Sequence, residues 1–255
     1  MLDGFGPDHQ ARLSRARVLL VGAGALGSAS APYLAGSGVG HIGIADFDTV
    51  DLSNLQRQPL FTEADLGKPK ASTLAARLQA LNSETRVDLH PTLVSARNCD
   101  AILATYDVVL EGSDNPSTKY LIADACVRLG KACIIGGVRQ YEGQVTTYLP
   151  AQFALSSPSS STPSPVKETK ETAKALSDKT ERASLSYREL FPEAAPQCGF
   201  TPCALGGVFG PLAGMVGSVM AAEAVKVITG IGEPLANRLL LIDARTMEFR
   251  VIRMG

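Results

Sequence analysis

The chain has 255 residues, enough for one large domain with a buried core, and its 24 Lys and Arg nearly balance 25 Asp and Glu to leave a formal net charge of −1. Near-neutrality gives no electrostatic footprint for nucleic acid or an anionic membrane surface, so neither is expected as a partner. The opening residues MLDGFGPDHQARLSRA hold no apolar core of signal-peptide length, later apolar stretches are broken by Gly or charge, and the five cysteines read as reduced thiols of a cytoplasmic protein.

The first element is the apolar run Val18 to Val21, followed at once by Gly22-Ala23-Gly24-Ala25-Leu26-Gly27 and a small-residue helical stretch to about Leu34. That order is strand, tight turn and helix. The first glycine suits the turn, the second lets backbone approach a phosphate, and the third lets the helix pack closely on the strand. The helix start then offers unpaired N–H groups to an anion. A second strand at 41–45 ends in Asp46, 22 residues after Gly24, where a carboxylate can accept hydrogen bonds from ribose hydroxyls. Alone, this βαβ unit suits a dinucleotide. However, Asn54, Arg57, Gln58 and Lys70 follow close behind, cations and amides suited to a triphosphate, although each is also an ordinary surface residue.

Further strands are expected near 86–89, 107–111 and 132–137, with helices near 25–36, 68–81 and 117–130. Alternation of this kind argues for an α/β fold, a Rossmann-like doubly wound sheet, parallel in its nucleotide-binding half and covered on both faces. The 107–111 and 132–136 runs are short and almost wholly apolar, as buried parallel strands are. Ligands of such sheets lie beyond the carboxyl ends of the strands, the edge that collects the Gly22 loop, Asp46 and the turn Gly112-Ser113-Asp114-Asn115.

After Pro150 the composition changes: 156–165 is all Ser, Thr and Pro, and 167–182 is largely charged or small, so 151–185 reads as a flexible insertion between a nucleotide-binding part, 1–150, and a C-terminal part, 186–255. A helix from about Pro211 to Thr229 places Leu212, Met215, Val216, Val219 and Val227 at near-helical spacings, for core packing or a dimer face. Gly214, Gly217 and Ser218 on it would allow another backbone to approach.

DFDTVDLSNLQRQ at 46–58, GKPKA at 67–71, GSDN at 112–115, EGQVT at 142–146 and the tail from Gly206 to Arg253 resemble, in the same order, the E1-like adenylating enzymes of the ThiF type that activate molybdopterin and thiamine sulfur carriers. The resemblance covers nearly the whole chain. It implies a C-terminal mixed or antiparallel extension of the sheet, a homodimer, ATP with magnesium as cofactors, and a ubiquitin-like sulfur-carrier protein whose terminal Gly-Gly carboxylate is adenylated. Matched position by position, Gly22, Gly24 and Gly27 would approach the phosphates and Asp46 the ribose. Asn54, Arg57 and Lys70 would hold the triphosphate, and Asp114, in a turn shared with Asn115, would bind magnesium, a hard cation that prefers carboxylate and phosphate oxygens. Gln58 would support this shell. Cys203 matches a cysteine that relatives use in thioester or persulfide chemistry, and a small buried residue is the alternative for it. Cys198 is a weaker candidate, Cys126 and Cys133 read as core, and Cys99 falls in an expected loop.

Two departures from the family pattern stand out. The first of its two C-x-x-C zinc pairs reads Ser186-Tyr187-Arg188-Glu189 here and the chain ends at Gly255 without the second, so structural zinc is not expected. The family's N-terminal arginine segment has no match, although Arg12, Arg15 and Arg17 precede the first strand. No rhodanese-like extension is seen, which implies a separate sulfur donor. The alternatives are a degenerate nucleotide-binding regulatory member and an NAD-dependent oxidoreductase.

Overall fold

The computed structural model describes residues 4–154, 183–192 and 207–254. One eight-stranded sheet runs through these residues in the order β3-β2-β1-β4-β5-β6-β7-β8. Its parallel half comprises β1 (Arg17–Val21), β2 (His41–Ala45), β3 (Arg86–His90), β4 (Val108–Glu111) and β5 (Ala132–Arg139). The remaining strands, β6 (Glu142–Tyr148), β7 (Arg238–Asp243) and β8 (Glu248–Arg253), pair antiparallel from β5 outward. The expected fold class is therefore observed, including the antiparallel extension. That extension begins at β6, ahead of residue 150.

Alternating side chains on the central strands feed two cores, as the period of two demands. Val18, Leu20, Ile42, Ile44, Val108, Leu110 and Ile134 face one side, where they meet α1 (Pro7–Arg15), α2 (Ala25–Gly36), α3 (Lys70–Leu81) and a long C-terminal helix. Leu19, Val21, Val109, Cys133 and Ile135 face the other, under α4 (Cys99–Leu103) and α5 (Pro116–Leu129). Cys126 and Cys133 are buried as expected, whereas Cys99 is the first residue of α4 and is buried too.

A helical turn, α6 (Ala151–Ala154), follows β6. Of the expected insertion, these four residues and 183–185 are described; Ser184 N–H donates to Leu149 O at 2.9 Å and Leu185 N–H to Asn237 Oδ1 at 2.7 Å. Its middle, 155–182, lies outside the described residues. The next turn, α7 (Tyr187–Leu190), opens with a capping box in which Ser186 and Glu189 satisfy each other's backbone N–H, and it is fastened to α5 by Arg188 on Asp124.

The C-terminal helix, α8 (Gly210–Thr229), starts with Pro211 in its first turn and stops at Gly230 in the left-handed conformation. It is long and apolar enough to cross a membrane, yet it packs on α2, β5 and β6 as a core helix. Of its expected anchors Leu212, Val216 and Val227 are buried, and Met215 and Val219 pack partly buried against the same core.

Candidate nucleotide site

The site forms where β1 gives way to α2. Gly22 has φ +93°, a conformation that disfavours any side chain, and its N–H donates to Ala45 O at 2.9 Å, tying the turn to β2. A Cβ at Gly27 would stand 1.9 Å from Gly22 O, so only glycine lets the first turn of α2 close on the loop. Gly24 is the N-cap and supplies no side-chain acceptor, which leaves first-turn N–H groups of α2 available to an anion.

Asp46, at the carboxyl end of β2, accepts from Ala23 N–H at 2.6 Å and from Asp48 N–H at 2.7 Å. It staples the glycine loop to the segment that carries the cations. Burial pushes its carboxyl above the ordinary range, against these two bonds and the Lys70 ammonium, which lower it. Lys70 is the first residue of α3, where the helix dipole opposes a cation. It is nonetheless only 6 % exposed, and its Nζ lies 3.2 Å from Asp48 Oδ2. A buried ammonium at the wrong end of a helix is the kind of local conflict expected at a functional site.

Asn54 and Gln58 lie on consecutive turns, with Gln58 N–H donating to Asn54 O at 3.0 Å. Asn54 Oδ1 and Gln58 Oε1 are buried with no hydrogen-bond partner among the described residues. Buried acceptors left unmatched cost stability and point to a partner outside the described residues. Gln58 borders the loop, since its Nε2 would be 3.9 Å from a Cβ at Gly24. Arg57 is half-buried and spends one N–H on Ser53 O at 3.1 Å, leaving most of its five donors unspent there.

On the other flank of the loop, Gly112 and Ser113 approach Gly22, with Ser113 N 3.6 Å from where a Cβ at Gly22 would stand. Asp114 is exposed and takes no hydrogen bond or ion pair among the described residues, and Asn115 caps α5 by accepting from Ser117 N–H at 2.9 Å. The fold thus gathers the glycines, Asp46, Gln58 and the 112–115 turn around one loop. Cys203 and Cys198 lie outside the described residues. Among those residues no three His, Cys, Asp or Glu side chains are grouped to hold a metal ion. Three participants were missed in the sequence: Asp48, the partner of Lys70, and the buried pair Glu111 and Lys119 beneath the turn. Glu111 is signalled only as a charge ending an apolar strand and Lys119 as a lysine inside an apolar helix face, while nothing in the sequence marks Asp48.

A glycine loop at the start of α2, a carboxylate closing β2, and the buried Lys70 and Gln58 with the half-buried Arg57 behind it define a Rossmann-like nucleotide-binding protein. The chain belongs to the ThiF family, whose model matches residues 1–255. It is 42 % identical over 251 residues to the sulfur carrier protein adenylyltransferase of Thermus thermophilus, covering 98 % of this chain and 83 % of that protein. It is 39 % identical over 252 residues to the probable adenylyltransferase/sulfurtransferase MoeZ of Mycobacterium tuberculosis, covering 99 % of this chain and 57 % of that one. The chain thus spans most of the first relative and little more than half of the second. Among solved structures, E. coli MccB with ATP superposes with a TM-score of 0.72 at 22 % identity, over 97 % of this chain and 65 to 67 % of MccB across its structures, which shows the shared fold.

Proposed function

We propose that this protein is an ATP-dependent adenylyltransferase acting on the C-terminal Gly-Gly carboxylate of a ubiquitin-like sulfur-carrier protein, in molybdopterin, thiamine or thiolated-tRNA biosynthesis. The observation that carries the reading is the buried Lys70 ammonium behind the glycine loop, with Arg57 donors unspent next to Gln58; the unmatched acceptors Asn54 Oδ1 and Gln58 Oε1 add places for hydroxyl or amino donors of a ligand. A nicotinamide dinucleotide needs mainly the Asp46 carboxylate. The names of the relatives at 42 % and 39 % identity support the same substrate class.

In the reaction a carboxylate oxygen of the carrier attacks the α-phosphorus of ATP, the bond to pyrophosphate breaks, and an acyl-adenylate is left. The protein has little covalent work to do there; it positions the two anions and compensates charge. Gly22 and Gly27 close the turn, Gly24 leaves room for phosphate, and the α2 start faces it. Lys70 exchanges its Asp48 partner for phosphate oxygen, and Arg57 adds donors as charge moves toward the leaving pyrophosphate. Asp46 receives the ribose. Asp114, with its carboxylate unspent, suits magnesium, which when bound offsets charge on the phosphates. Asn115 serves by capping α5. Cys203 is assigned no step. The family resemblance extends the reading to a homodimer and a separate sulfur donor.

ATP–pyrophosphate exchange, with magnesium and each Gly-Gly-ending small protein of the same organism in turn, tests the reading. Exchange should require one carrier and its terminal glycine. Asp114→Ala and Arg57→Ala should each cost at least about 100-fold in exchange, the loss typical of removing a charge-stabilising group, with the melting temperature unchanged. Near-wild-type turnover in both would place the site elsewhere. Tight NADH binding without ATP binding would reject the adenylation reading altogether.

A further inference from the structure

The turn that carries Asp114 rests on a carboxylate with no role in the reading above. Glu111 ends β4 and is 0 % exposed. An ionised carboxylate is costly in such a place unless every lone pair is matched. Here Oε1 accepts from Ser113 N–H at 2.9 Å and also from the Ser113 hydroxyl, and Oε2 lies 2.5 Å from Lys119 Nζ. Lys119 reaches inward from α5 and donates as well to Gly136 O on β5, at 2.7 Å. One cluster therefore joins the end of β4, the turn, α5 and β5.

Asp114 sits between two residues that are each fixed. Ser113 is bound to Glu111, and Asn115 caps α5. The turn is also set against the glycine loop, because a Cβ at Gly112 would stand 3.0 Å from Leu26 Cβ. A carboxylate on a loose turn would have to be ordered at each binding event, at a cost in entropy, whereas one on a strapped turn is ordered in advance.

We propose that Glu111, Ser113 and Lys119 are positioning residues of the nucleotide site: the buried carboxylate straps the 112–115 turn so that Asp114 is presented in a fixed place to the cation accompanying the triphosphate. This rests on the ATP and magnesium reading above. Glu111→Gln strands the Lys119 charge and endangers folding, so the deciding variant is Ser113→Ala, which deletes the hydroxyl's bond to Glu111 and its 3.4 Å contact with Asn115 O and keeps the ion pair and the α5 cap.

Two quantities are read on the full chain: amide hydrogen exchange without ligand, and the magnesium concentration giving half-maximal pyrophosphate exchange. In Ser113→Ala the Ser113 and Asp114 amides should exchange about tenfold faster while β1 and β4 amides keep their protection. Half-saturating magnesium should rise about threefold or more, as loss of a hydrogen bond to a charged group allows. Ser113→Thr, which retains the hydroxyl, should restore both. A residue serving the fold alone would lower the melting temperature and leave the magnesium requirement untouched. Unchanged half-saturating magnesium in folded Ser113→Ala overturns the proposal, whatever the amides do. A wild-type protein that exchanges with no carrier overturns instead the reading on which it rests.

Discussion

Burial pushes the Asp46 carboxyl above its ordinary range while the N–H groups of Ala23 and Asp48 and the Lys70 ammonium pull it down, and burial prevails. An acid whose pKa is raised on folding holds its proton more tightly in the native state. Between the ordinary value of 3.8 and the raised one the native state therefore binds more protons, and stability falls as pH rises through that window. Asp46→Asn does not titrate, so the stability of the wild type relative to this variant should decline from about pH 4 up to the raised value and then stay level. Urea unfolding of both proteins across that range checks the sign; a relative gain for the wild type would reverse it. The positions that were legible in the sequence are those fixed by short-range geometry: Gly22, Gly24 and Gly27 by their spacing in the turn, Asp46 by its place after a strand. Asp48, Glu111 and Lys119 were not legible, because each acquires its role from a partner brought up by tertiary structure. The unmatched acceptors of Asn54 and Gln58 were likewise invisible, since an amide in a sequence does not reveal whether it is buried or paired.

Among the elements, α2 and α8 cross where neither carries bulk. A Cβ at Gly217 would stand 2.5 Å from Ala29 Cβ and 2.9 Å from Leu26 O, whereas one at Gly214 meets nothing within 4 Å. The three small residues of α8 thus divide: Gly217 is the close approach to α2, Gly214 is open, and Ser218 returns its hydroxyl to Gly214 O. Gly217→Ala should destabilise by about 1–3 kcal/mol through overpacking. Gly214→Ala should be neutral or stabilise by up to about 1 kcal/mol, because alanine gives up less backbone entropy in a helix. Equal urea midpoints for the two variants would contradict this crossing. Elements set off by clear local signals were read from sequence almost residue for residue, as at 25–36, which opens directly after the glycine loop, and at 41–45, an apolar run that ends at Asp46. The nine-residue α1 was not, for it buries Leu13 alone and is held from outside itself, Arg12 donating to Thr229 O at 2.9 Å. The five-residue α4 is too short to show a period. In β8 every residue is exposed, so the alternation Glu248-Phe249-Arg250-Val251 reports no buried face, and its strand form follows from pairing with β7.

At the scale of the molecule, the nucleotide site lies on the parallel half, but the sheet that supports it continues without a break into the antiparallel strands, with β5 hydrogen-bonded on both sides. The same α8 that packs on β5 and β6 also packs on α2, the helix whose first turn faces the site. Ligand bound at the loop therefore acts on a structure that is not divided between its two halves, and its binding free energy should appear in the unfolding of the whole. A ligand that binds only the native state, present at one hundred times its Kd, adds about 2.7 kcal/mol. For a chain of 255 residues this corresponds to a rise in melting temperature of roughly 5 to 10 °C. Magnesium with ATP should produce that rise in a single transition, followed alike by backbone circular dichroism and by tyrosine fluorescence, and NADH should produce none. A rise confined to one probe would mean that the parallel and antiparallel halves unfold separately, and that the shared packing of α8 does not couple them.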